Sequence, residues 1–188
     1  ERAHLLSPSV NLSTHVEDIA GEIRFKDLSN IVLCGHSYGG MVITGVAERY
    51  AGRIASIVYL DAFWPRDGES LEDITGRPNE PGVNPTRTAS AFMDPVNAAW
   101  ANARLTPQPV ETFREKLKVT GAVEHIPKRT FVQATIGEAP FFAAAFDRAK
   151  ATPGWKTVQV NSRHDVMIDQ PDQMTTILLD AAPSARST

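Results

Sequence analysis

The stretch Ile31-Val32-Leu33-Cys34-Gly35-His36-Ser37-Tyr38-Gly39-Gly40-Met41 decides the fold. Ile31 to Cys34 is apolar without alternation, the mark of a strand buried on both faces. A helix is predicted over about 38–51, with Met41, Val42, Val46 and Ala47 apolar and Gly52 as its stop. Between them lies Gly35-His36-Ser37-Tyr38-Gly39, a G-x-S-x-G pattern. The strand runs into the helix with no residue to spare. Ser37 is therefore expected on a sharp, strained turn, its hydroxyl exposed above the end of the sheet. Glycines at 35 and 39 are expected because a Cβ at either place would clash within the turn. The Tyr38 amide and the positive end of the helix dipole would face an oxygen that gains charge beside the serine.

Working outward, the chain alternates strands and helices. Thr14 followed by Glu17 reads as a capping box opening a helix over about 15–25. Ile54 to Leu60 and Phe131 to Thr135 read as buried strands, and Val158 to Val160 lies in another. Pro140 suits the first turn of a helix reaching about Lys150, ended by Pro153-Gly154, and Pro171 starts a last helix carrying Met174, Ile177 and Leu178. This rhythm predicts an α/β fold, a mostly parallel sheet covered on both faces. Residues 62–128 interrupt it with 8 of the 13 prolines. Two helices are expected there, about 95–104 with Asp94 as cap and about 110–118. With Trp64, Phe92, Met93, Trp100 and Phe113 in the same stretch, it reads as a helical lid inserted between core segments 1–61 and 129–188.

Composition narrows the functions available. The 188 residues are 42% hydrophobic and 22% charged, near the averages of a globular domain. The net charge is −3, and Lys and Arg are scattered along the chain, so no basic face is offered to nucleic acid. The single cysteine, Cys34, can form neither an internal disulfide nor a cysteine metal cage, and is read as a buried strand residue. No apolar run reaches the roughly 18 residues of a membrane span. With no spaced ligand cluster and no G-x-G-x-x-G after a strand, neither metal nor dinucleotide is expected, and the cytoplasm is the expected location. Asn11-Leu12-Ser13 is a glycosylation pattern that matters only after export.

A serine hydroxyl needs a base to become a nucleophile. Among the five histidines, His164 is the best candidate. It lies in Asn161-Ser162-Arg163-His164-Asp165, just past the last strand, and the ends of parallel strands converge on the side of the Ser37 turn. His36 neighbours the serine, where side chains around a tight turn point apart.

These residues resemble an α/β-hydrolase, and more narrowly the branch of plant methyl esterases, hydroxynitrile lyases and bacterial carboxylesterases, including pyrethroid-hydrolysing ones. Glu1-Arg2-Ala3-His4-Leu5, Gly35-His36-Ser37-Tyr38-Gly39-Gly40-Met41, Tyr59-Leu60-Asp61-Ala62-Phe63, and Gly154-Trp155 leading to His164-Asp165 carry the likeness. It implies Ser37 as nucleophile and His164 as base. It also implies further residues before Glu1, with the first strands and a His-Gly loop supplying a second oxyanion amide. Loss of one such donor costs on the order of 10²–10³ in rate, so residues 1–188 alone are expected to be incomplete for catalysis. The family's usual acid follows the strand matching Phe131 to Thr135, where this chain reads Ile136-Gly137-Glu138. Two acids stay open. Asp61 ends the strand beside the serine strand and is preferred; Glu138 is the alternative. Asp165 adjoins the base it would have to orient.

The expected function is cofactor-free hydrolysis of small apolar esters through an acyl-enzyme on Ser37, with the Tyr38 N–H holding the oxyanion and Trp64, Phe92 and Trp100 contacting the substrate. Hydroxynitrile lyases, which the chain also resembles, commonly carry Lys after the histidine, where this chain has Asp165. The rival outside catalysis is a ligand-binding module that keeps the turn.

Overall fold

The computed structural model describes residues 3–84, 92–137 and 139–183. In chain order its elements are α1 (Leu12–Phe25), β1 (Ile31–His36), α2 (Gly39–Tyr50), β2 (Ile54–Leu60), α3 (Leu71–Thr75), β3 (Val83–Asn84), α4 (Pro95–Asn102), β4 (Gln108–Pro109), α5 (Glu111–Arg114), β5 (Lys128–Ala134), α6 (Pro140–Ala151), β6 (Trp155–Val160), α7 (Val166–Asp169) and α8 (Pro171–Ala181). Four strands form one parallel sheet in the order β1-β2-β5-β6. β3 and β4 make a separate antiparallel ribbon.

Apolar residues alternate across the central strands and fill two layers. Ile57, Tyr59 and Phe131 meet Ile43 and Ala47 of α2 and Ala145, Phe146 and Ala149 of α6. Val58, Leu60, Val132 and Val160 meet Met174, Ile177 and Ala181 of α8. Leu12, Val16 and Ile23 of α1 then cover Met41, Val42 and Val46 of α2 as an outer layer. This is the α/β architecture expected, with helices on both faces of the sheet.

Three local expectations differ. Helix α1 starts earlier than Thr14 predicts, because Asn11 is the cap. Asn11 Oδ1 accepts from the Thr14 N–H at 2.9 Å, and Thr14 Oγ1 accepts from the Asn11 N–H at 3.3 Å, so Thr14 stands at N3. The carboxamide that suggested glycosylation thus caps a helix. Strand β1 is only partly buried and Cys34 is exposed, with β2 paired to β1 among the described residues; the two-faced burial belongs to β2 and β5. The helix expected over 110–118 spans only Glu111–Arg114. Glu115 turns to extended backbone, and its Oε2 accepts from the Ser13 N–H at the head of α1, 2.7 Å away.

The 62–128 connection is tied to the core at several points. Glu48 of α2 accepts from the backbone N–H groups of Thr120 and Ala122, while within the connection Asp67 accepts from that of Val119. At its other side the Met93 N–H donates to Asp169 Oδ1 at 3.0 Å. Helix α4 follows its prediction closely, with Asp94 Oδ1 accepting from the Val96 N–H.

Candidate active site

Three side chains meet above the C-terminal ends of the strands. Ser37 follows β1, Asp61 follows β2 and His164 follows β6. His164 Nε2 is 2.8 Å from Ser37 Oγ, and His164 Nδ1 is 2.7 Å from Asp61 Oδ2. Sequence separations of 127 and 103 residues are closed by strand order alone.

The backbone explains why each group points as it does. Ser37 has φ +54°, a region that L-residues rarely enter. Its N–H donates to the Leu60 carbonyl, and its own carbonyl accepts from Gly40 and Phe63 N–H groups. The strained turn is thus over-determined on both sides. Close packing there is set by Gly35 and Gly40, not by Gly39. A Cβ on Gly35 would lie 2.6 Å from the Gly39 carbonyl oxygen, and one on Gly40 would lie 1.9 Å from that of Phe63. A Cβ on Gly39 would meet nothing within 4 Å, so the expectation of a clash at both flanking glycines is corrected: Gly39 points outward from the turn.

Asp61 also sits at positive φ, +41°, and is 4% exposed. Its N–H donates to the Val132 carbonyl, and its Oδ1 accepts from the Ala134 N–H at 3.2 Å. One oxygen is thereby anchored to β5 and the other is left for His164. Glu138, the alternative acid, lies outside the described residues. Asp165 has its carboxyl raised, chiefly by burial, and is next to His164 without a bond to its ring.

Tyr38 forms the N-cap of α2, which puts its amide among the unpaired N–H groups at the helix's positive end. Its hydroxyl is 3.0 Å from His15 Nδ1, and its ring meets Phe113 of α5 edge-on. Burial pushes the phenol pKa up and the His15 imidazole down.

Two of the three expected substrate contacts, Trp64 and Trp100, pack on other partners. Trp64 turns down the sheet, its ring 4.3 Å from that of Trp155 and 3.6 Å from the Arg148 guanidinium carbon. Trp100 is half exposed and stacks on Arg104, and Phe92 is partly buried. The aromatic beside the histidine is instead Phe142, stacked on it with centroids 5.0 Å apart and backed by Phe63 and Phe141. Two phenylalanines at the head of a helix carry no signal in sequence that would single them out. Among the described residues no three His, Cys, Asp or Glu side chains gather as a metal site, and no helix is long and apolar enough to cross a membrane.

A serine on a strand-to-helix turn, with later strand ends supplying a histidine and a carboxylate, is the arrangement α/β hydrolases share. The chain belongs to the α/β hydrolase family, whose model matches residues 4–176. It is 36% identical over 197 residues to a carbendazim hydrolyzing esterase of Nocardioides sp. (strain SG-4G), covering 93% of this chain and 80% of that one. Among solved structures it is similar to an extracellular α/β-hydrolase from a Paenibacillus species (TM-score 0.73, 22% identity, 95% of this chain and 82% of that one). It is also similar to a pyrethroid hydrolase from Sphingobium faniae JZ-2 (TM-score 0.67, 19% identity, 95% and 80%) and to tomato methylketone synthase I (TM-score 0.62, 20% identity, 90% and 78%). The family and its named esterase and hydrolase members support carboxylic ester hydrolysis as the reaction class.

Proposed function

We propose that this chain is a serine carboxylesterase that hydrolyses small apolar esters through an acyl-enzyme on Ser37. The observation that carries the reading is the continuous Asp61–His164–Ser37 hydrogen-bond chain, with Ser37 held at φ +54°. His164 Nε2 takes the hydroxyl proton as Oγ attacks the ester carbonyl carbon. Negative charge collects on the carbonyl oxygen, where the Tyr38 N–H and the head of α2 meet it. Collapse breaks the bond to the alcohol, which leaves with the proton from His164. Water then attacks the acyl-enzyme, giving its proton to His164, and the acid departs as Oγ regains that proton. Asp61 accepts from Nδ1–H throughout, fixing the tautomer that leaves Nε2 free to act as base.

Stacking on Phe142, with Phe63 and Phe141 behind it, makes the wall beside His164 apolar. That wall suits a small hydrophobic acyl or alcohol group. Residues 62–128 act as the lid over it, fastened to α7 through the Met93–Asp169 bond. A fluorophosphonate probe tests the mechanism, since it labels only an activated serine. One adduct on Ser37 by intact mass, absent in Ser37→Ala, is expected, together with turnover of short p-nitrophenyl esters. A protein that binds such esters but takes up no probe would be a non-catalytic module instead.

A further inference from the structure

The His36 imidazole lies outside the chemistry just described, yet it reaches across the site. Its Nε2 is 2.9 Å from the backbone carbonyl oxygen of His164, and the two rings are 4.4 Å apart. A carbonyl only accepts, so His36 donates from Nε2–H. We propose that His36 is a positioning residue that fixes the Cα of the base relative to the nucleophile.

Two constraints locate an imidazole: one on its ring rotation and one on the backbone it swings from. Asp61 supplies the first by holding Nδ1 at 2.7 Å. The backbone belongs to 161–165, which joins β6 to α7 and lies outside regular structure. Before His164 it is held by Ser162, whose N–H donates to Val160 and whose carbonyl accepts from Ile136. After it, the Asp165 carbonyl accepts from Ile168 and Asp169. His36 grips the residue between these two anchors. Because His36 is covalently joined to Ser37, the path from nucleophile to base backbone runs through one residue and one hydrogen bond. This role rests on the reading of Ser37 and His164 as nucleophile and base. Burial suits it, because it keeps His36 uncharged while the ring 4.4 Å away takes up the serine proton.

The test uses side chains that differ in where they place a donor. In His36→Gln the amide nitrogen sits as many bonds from Cβ as Nε2 does, so the bond to His164 is kept. In His36→Asn it sits at the place of Nδ1 and falls short, and His36→Leu has no donor. For p-nitrophenyl ester hydrolysis, His36→Gln is expected within about threefold of the parent kcat. His36→Asn and His36→Leu should lose on the order of 10² in kcat with KM within about twofold, the effect of misplacing a reacting group by about 1 Å. Phosphonylation of Ser37 should slow in the same ranking. If His36→Leu does not fold, the two amides, alike in polarity, carry the comparison. Equal kcat for His36→Asn and His36→Gln, or full activity in His36→Leu, overturns the role. A parent protein that takes up no phosphonate overturns the esterase reading along with it, whereas a labelled parent with an unaffected His36→Asn overturns the positioning role alone.

Discussion

Asp61 shows how one residue can be held for one task. Its positive φ is tolerable for an aspartate, and the Ala134 N–H fixes one oxygen while the other meets His164. Replacing it by Asn keeps the shape but favours the wrong imidazole tautomer. Asp61→Asn is expected to lose roughly 10⁴ in kcat, as in the serine-protease template, and Glu138→Gln less than tenfold. Steady-state kinetics on the two variants check the ranking; the reverse order moves the acid to β5. His36 carries a second prediction at this scale. Burial, with the His164 ring adding to it, pushes the His36 imidazole from its ordinary 6.5 down to about 4. Between those values the unfolded chain binds a proton that the folded chain refuses. Stability must therefore fall as pH drops from 6.5 towards about 4, and level off below, with up to ~1.4 kcal/mol at stake per unit of pKa difference. Urea midpoints measured across that window should drop less in His36→Gln, which does not titrate. Ser37 and His164 were legible as a pair because a motif and a chain order point to them. The use of His36 was not, since adjacency around a turn says where a ring does not point and leaves open what it reaches.

Elements were legible wherever pattern and punctuation agreed. β2 matches its apolar run at both ends, α4 starts at the Asp94–Pro95 signal, and α6 and α8 start at their prolines. The misses have physical causes. Asn11 outcompeted Thr14 as a cap by using Thr14 as its partner, and α5 stopped where Glu115 found a better acceptor role at the head of α1. The turn after β1 yields a sharp test of element packing. Gly39→Ala should leave the thermal midpoint and activity near those of the parent, because its Cβ enters open space and alanine suits a helix. Gly40→Ala drives a Cβ into the Phe63 carbonyl, and Gly35→Ala into that of Gly39. Both should lose about 1–3 kcal/mol or more from overpacking against backbone, roughly 2–10 °C in Tm by calorimetry. Equal tolerance of alanine at 35, 39 and 40 would contradict the packing described.

Across the whole molecule, the aromatic stack below the site separates stability from catalysis. Trp64 leaves the 62–128 connection to pack on Trp155 and Tyr59, and Arg148 both covers its ring and donates to its carbonyl. It thereby ties the connection to β2, β6 and α6. Trp64→Ala is expected to cost about 2–4 kcal/mol of folding free energy while leaving KM within about twofold, since the ring lies away from Ser37. Denaturant titration beside ester kinetics distinguishes this from a substrate contact, which would raise KM and spare stability. The reach from Ser37 to His164 has a consequence in time as well as space. A ribosome adding about 5–20 residues per second needs roughly 6 to 25 s to pass from the codon for the serine to that for its base. Throughout that interval the nascent chain carries the serine without its proposed base, and the hydrogen bond between them can form only after β6 has been made.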